Sequence, residues 1–219
     1  MTVSCTKVIA CATVIEEMLP LLPKGLTYEV FDFALHLTPE KLRNRLQATI
    51  DDASAEADTI ILGYGLCSLS VVGLKATECT LVVPRVDDCI AIFLGSHAAY
   101  KTQAGHEPGT YYLTKGWLEV NDTPFTEYTR LVEQYGPERA NRLIKLMLKN
   151  YTRLAFIDIG HNGQGRYREY AQNMAKKFGL RYEELPGSTA LLKKMIYGPW
   201  DKDFVITRPG ETIRYVDFR

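Results

Sequence analysis

Thr59-Ile-Ile-Leu-Gly-Tyr-Gly-Leu-Cys67 is the stretch that decides the fold. A short, unbroken apolar run closed by glycine fits a strand buried on both faces, and such strands belong to parallel sheets covered by helices. Two more runs share its form: Lys7-Val-Ile-Ala10 leads into Cys11, and Thr80-Leu-Val-Val83 leads, past Pro84, to Cys89. Parallel strands place their carboxyl ends along one edge, which is where open α/β sheets bind ligands. Three thiols far apart in sequence are therefore expected to converge. Cys5 and Cys79 precede their strands and belong at the opposite edge.

The rest of the chain continues the alternation. Val14 to Leu22 has helical spacing broken by Pro20 and Pro23, and Tyr28 to Ala34 alternates like a strand. Thr38-Pro39-Glu40 starts a helix that runs to about Ala55, with Thr38 as N-cap and a buried stripe of Leu42, Leu46 and Ile50. Strands follow at Asp58–Leu66 and Thr80–Val83, with Ser68–Lys75 as a short helix or turn between them. A helix at Ile90–Gly95, a strand at Thr110–Thr114, and two helices joined at Tyr135-Gly136-Pro137 come next. The chain then reads as a strand at Arg153–Asp158, a helix at Arg166–Phe178, a strand at Arg181–Leu185, a helix at Ser188–Tyr197 and a strand at Asp203–Thr207. The fold class is α/β: a mostly parallel sheet with helices on both faces in Rossmann-like layers, with repeated strand–turn–helix units as a variant. No Gly/Ser-rich linker interrupts residues 1–219, so a single domain is expected.

Composition removes several function classes. Twenty-six basic and 26 acidic residues balance to zero, leaving no electrostatic footprint for nucleic acid. The apolar runs are strand-sized, far short of the roughly 20 residues of a membrane span. Met1-Thr-Val-Ser-Cys5 lacks the apolar core of a signal peptide, so a cytoplasmic protein is expected. In that reducing compartment five cysteines read as buried residues, ligands or nucleophiles rather than as a disulfide framework.

The second strand brings His36 toward the same rim as Cys11, Cys67 and Cys89. Cys3His is a closed set for structural zinc; with His36 held back, three cysteines leave a position open, as in catalytic zinc or an iron–sulfur cluster that binds substrate. The ligands lie far apart in sequence and form no C-x2-C pair, so the fold builds the site rather than the metal building the fold. Asp88 precedes Cys89 as a candidate base or proton shuttle, and Tyr64 is a candidate donor toward substrate. Gly63 and Gly65 let the backbone approach a bound group, and Trp117 is a candidate aromatic wall. Gly160-His-Asn-Gly-Gln-Gly165 joins a strand to a helix and could cradle an anion, but it matches neither a Walker A loop nor G-x-G-x-x-G. His97, His106 and His161 read as surface residues of polar loops.

One set of landmarks runs the length of the chain: Cys11, His36 before Thr38-Pro39-Glu-Lys-Leu42, Gly63-Tyr-Gly-Leu-Cys67, Pro84-Arg-Val-Asp-Asp-Cys89, Gly109-Thr-Tyr-Tyr-Leu-Thr-Lys-Gly-Trp117, Lys149-Asn-Tyr-Thr-Arg153 and Trp200-Asp-Lys-Asp-Phe204. In these the chain resembles the bacterial and archaeal family known as domain of unknown function 1638. It departs from that pattern at Ser68, where the family commonly has glycine, and at Asp88, where it commonly has histidine. The resemblance implies a context of corrinoid-dependent methyl transfer. The expectation is thus a cysteine-ligated metalloprotein, with zinc or an iron–sulfur cluster, acting on a small molecule. The alternatives are a corrinoid carrier serving a methyltransferase partner, and a metal-free enzyme with a cysteine nucleophile and His36 as base.

Overall fold

The computed structural model describes residues 5–67, 69–120, 123–160 and 163–219. Elements alternate in the expected way: β1 (Thr6–Cys11), α1 (Ala12–Met18), β2 (Thr27–Phe31), α2 (Pro39–Ala53), β3 (Thr59–Gly63), β4 (Thr80–Pro84), α3 (Cys89–Phe93) and α4 (His97–His106). They continue with β5 (Thr110–Leu113), α5 (Lys115–Val120), α6 (Pro124–Tyr135), α7 (Pro137–Met147), β6 (Arg153–Asp158), α8 (Gly165–Phe178), β7 (Arg181–Pro186), α9 (Ala190–Tyr197) and β8 (Phe204–Thr207). The class is α/β with mostly parallel strands.

The strands form two sheets rather than one. The first has the order β2-β1-β3-β4-β8, the second β5-β6-β7. Every pairing is parallel except that of β8, which runs antiparallel to β4 at the edge of the first sheet. In β1, β3 and β4 the apolar runs are buried almost throughout, which is the condition of a sheet covered on both faces. Packing one such strand removes several side chains from water, at about 1.5–3 kcal/mol for each fully buried aliphatic group.

Local chemistry moved several boundaries. Pro20 sits in a 3-10 turn, Leu19–Leu21, that ends α1 early. β2 stops at Phe31 because the Asp32 carboxylate accepts the Ala34 N–H at 2.7 Å and starts a 3-10 turn, Phe33–Leu37. Thr38 is the N-cap of α2, yet its side chain makes no capping bond; the buried stripe is Leu42, Leu46 and Ile50, joined by Ala53. β3 ends at Gly63, and residues 69–73 form turns rather than a helix. His97 and His106 are the first and last residues of α4, not loop residues, and His97 Nε2 lies 3.2 Å from Asp87 Oδ2.

The larger apolar core surrounds the first sheet, and a second core lies between the second sheet and α6, α7 and α8. Trp117 packs against both. The sheets are further joined where the Gly116 N–H donates to the buried Glu17 carboxylate of α1 at 2.7 Å. Among the described residues no helix is long and apolar enough to cross a membrane.

Candidate functional site

Three neighbouring parallel strands deliver the three cysteines. Cys11 is the last residue of β1, Cys67 lies four residues beyond β3, and Cys89 follows β4 as the first residue of α3. Because β1, β3 and β4 are adjacent in the sheet, their carboxyl ends share one rim. Cys5 and Cys79 precede β1 and β4, at the other end of these strands. All five cysteines are free thiols, and Cys11, Cys67 and Cys89 are buried.

Two loops are zipped together to place Cys67 and Cys89. The N–H of Leu66 donates to Val86 O at 2.9 Å, and that of Cys67 to Asp87 O at 3.1 Å. Gly65 makes this approach possible, since a Cβ there would lie 2.8 Å from Val86 O and 2.9 Å from Asp88 N. Gly63 answers a second contact, since its Cβ would meet Ala10 Cβ at 2.3 Å. Both glycines thus admit the neighbouring chain at these positions. Cys67 itself has φ +41°, the left-handed region that a non-glycine residue enters at a cost. The Ser70 hydroxyl holds it there by donating to Cys67 O at 2.9 Å.

The electrostatics at this rim are those of three buried thiols. Burial pushes Cys11 up to about 11, although backbone N–H groups of Val14 and Thr13 favour its thiolate. Burial also raises Cys67 and Cys89. Cys11 raises both further, and Cys67 and Asp88 add to the effect on Cys89. These mutual effects place the three sulfurs in one low-dielectric neighbourhood. Tyr64 is completely buried beside them, and its hydroxyl is raised by burial and then by Cys11 and Cys67. Its Oη has no hydrogen-bond partner among the described residues.

His36 lies on the 3-10 turn after β2, one step beyond the expected strand end. Its ring stacks on Tyr64 with centroids 5.8 Å apart and on Phe33 at 4.9 Å, and Phe33 meets Trp117 at 5.4 Å. An aromatic series, Trp117–Phe33–His36–Tyr64, thus runs from α5 to the thiols. His36 Nδ1 is 3.0 Å from Phe33 O, which can only accept, so Nδ1 carries the proton and Nε2 presents its lone pair. Burial lowers the His36 pKa, against a smaller opposite effect of the Phe33 carbonyl. Asp88 caps α3 by accepting from Ile90 N at 2.9 Å, and the nearby Tyr100 hydroxyl opposes the burial that raises its carboxyl. Burial raises Asp88, which brings it closer to a proton-exchanging role.

The sequence did not disclose Phe33, the ring linking His36 to Trp117, or Tyr100, the partner of Asp88. An Asx turn at Asp32 was the available signal for Phe33; nothing near Tyr100 marks its contact with a residue of another loop. Ser68, and His161 and Asn162 of the expected anion loop, lie outside the described residues. Among the described residues no group of three or more His, Cys, Asp and Glu side chains is drawn to metal-ligand spacing. The donor chemistry nonetheless suits a soft metal: three thiols, an imidazole lone pair on the flanking turn, and a buried phenol lacking an acceptor. No curated protein and no solved structure matches the chain. Residues 30–196 match one family, described as "Protein of unknown function (DUF1638)".

Proposed function

The chain belongs to the DUF1638 family, and from that premise we propose that Cys11, Cys67 and Cys89 hold a soft metal centre, zinc or an iron–sulfur cluster, that serves small-molecule chemistry at the strand-end rim. The observation that carries this reading is the convergence of three buried thiols on one rim, where burial, Cys11 and Asp88 raise Cys67 and Cys89 and no cation lowers them. Ionising such a cluster without a counter-charge is unfavourable, and a thiophilic cation supplies the missing charge.

A cysteine nucleophile is the weaker reading. Nucleophilic cysteines are partly exposed and their pKa values are depressed, whereas these are buried and raised.

In the metal reading the backbone N–H groups of Thr13 and Val14 stabilise the Cys11 thiolate. His36 offers Nε2 as a fourth donor or as a proton acceptor beside the thiols, its tautomer fixed by Phe33 O. Asp88 fixes the start of α3 and hence Cys89. The metal would contribute Lewis acidity or, as a cluster, electron transfer.

Elemental analysis and a visible spectrum of anaerobically purified protein, beside Cys67→Ser, test this. Zinc or iron near one site per chain, lost in C67S, is expected. No metal in wild type, or metal unaffected by C67S, overturns it; cobalt with a corrin spectrum moves the site to the carrier reading.

A further inference from the structure

Arg85 follows β4 directly and is partly buried. Its Nη2 donates to Phe204 O at 3.3 Å, and its buried Nε finds no acceptor among the described residues. A guanidinium withdrawn from water calls for a counter-charge, because a desolvated cation without one is costly. The carboxylates around it are engaged elsewhere. Asp203 pairs with Lys194 at 2.5 Å, and Asp87 with His97 at 3.2 Å and Lys101 at 3.4 Å. Asp217 accepts from Arg214 Nη2 at 2.7 Å and from the Arg214 N–H at 2.8 Å, and Glu211 accepts from the Arg208 N–H at 2.8 Å. Among the described residues, none of these acids is within ion-pair distance of Arg85.

Arg85 lines a cavity of about 600 Å³ that lies along β8, the edge strand of the first sheet, and the 3-10 turn Tyr215–Phe218. The same cavity is lined by Thr207 and by Ile206 and Val216, two large apolar side chains left exposed. Its volume suits a small organic molecule rather than a bare inorganic ion. We propose that this cavity binds a small organic oxyanion, with the charged group paired to Arg85 and the apolar body against Ile206 and Val216. Carboxylates and phosphate esters share that chemistry, since the planar guanidinium fork takes either through paired hydrogen bonds. The proposal does not depend on what the three cysteines hold.

Benzoate, phenyl phosphate and neutral benzyl alcohol share one apolar body. Each is titrated into wild type, Arg85→Gln and Val216→Asp, and binding is followed through backbone amide shifts. At least one of the anions is expected to saturate, with shifts gathered on Val205–Thr207 and Val216. It should bind about tenfold or more tightly than benzyl alcohol, the gain of a charge-assisted hydrogen bond. The tighter anion identifies the source, carboxylate or phosphate ester. R85Q should hold that anion about tenfold or more weakly while binding benzyl alcohol as wild type does. V216D, altered at an exposed position, tests the same cavity without touching the partly buried arginine, and it should weaken the anion by repulsion. Equal affinity for the anions and benzyl alcohol in wild type, or anion binding indifferent to both substitutions, overturns the proposal. So do shifts gathered elsewhere, or no saturation by either anion up to about 10 mM.

Discussion

At the scale of single residues, metal binding at the proposed site would be coupled to proton release. The three thiols are protonated at neutral pH because burial raises each of them, so a metal must displace their protons. Apparent affinity is expected to rise with pH below 9, by up to about a thousandfold per unit if all three thiols ionise on binding; calorimetry in buffers of different ionisation enthalpy counts the protons. A pH-independent affinity would refute thiolate ligation. The same shifts set a stability profile with a definite sign. A thiol whose folded pKa exceeds its ordinary value of 9.0 stabilises the fold below that value. This stabilisation is lost as pH rises toward the folded value, about 11 for Cys11. Metal-free protein should therefore lose about 2 kcal/mol from Cys11 alone between pH 9 and 11, read from denaturant midpoints. In Tyr64→Phe the metal-free protein should be as stable as wild type or up to about 1 kcal/mol more so, since a buried unpaired hydroxyl is removed. A clear loss of stability would mean that the hydroxyl has an internal partner.

At the scale of elements, the legible part was the strand-to-cysteine register. Apolar runs ending in a glycine or proline signalled β3 and β4, and the uninterrupted burial of these strands made them parallel. That was enough to converge Cys11, Cys67 and Cys89 from sequence. The pattern favours parallel strands without excluding an antiparallel one at the edge, so β8, only Phe204–Thr207, gave no sign that it runs antiparallel to β4. Nor does alternation say which strands pair, and the separation of β5, β6 and β7 into their own sheet was invisible for that reason. That second sheet is tied by Arg153, which is 2 % exposed. Its guanidinium donates to Thr110 Oγ1 at 2.8 Å, Glu183 Oε2 at 2.9 Å and Gln103 Oε1 at 3.1 Å, joining all three strands to α4. Arg153→Ala should cost about 3 kcal/mol by stripping a buried network of its donor, with Cys67 and Cys89 still zipped by their own loops. Gly65→Ala acts where Arg153 does not. Its Cβ would press on Val86 O and Asp88 N, separating the loops that carry Cys67 and Cys89. Overpacking of about 1–3 kcal/mol in the melt, with metal affinity down by tenfold or more, is expected; unchanged affinity would show that the loop contact does not position the thiols.

At the scale of the whole molecule, two parallel sheets are joined near the candidate site. β1 and β3 lie side by side at the centre of the first sheet, so the chain crosses over between them through β2 and α2 and leaves three strand ends at one rim. From the second sheet, α5 reaches that rim through Gly116 against α1 and through Trp117 in both cores. The aromatic series from Trp117 to Tyr64 therefore links the two halves to the thiols. X-ray absorption at the zinc or iron edge of the purified protein tests the proposed metal site most directly. With zinc, three sulfur scatterers at about 2.3 Å, one of them lost in Cys67→Ser, are the predicted result; with iron, it is a sulfur shell with iron–iron scattering that is lost in Cys67→Ser. A shell of nitrogen and oxygen alone, or a sulfur count indifferent to Cys67, would contradict it.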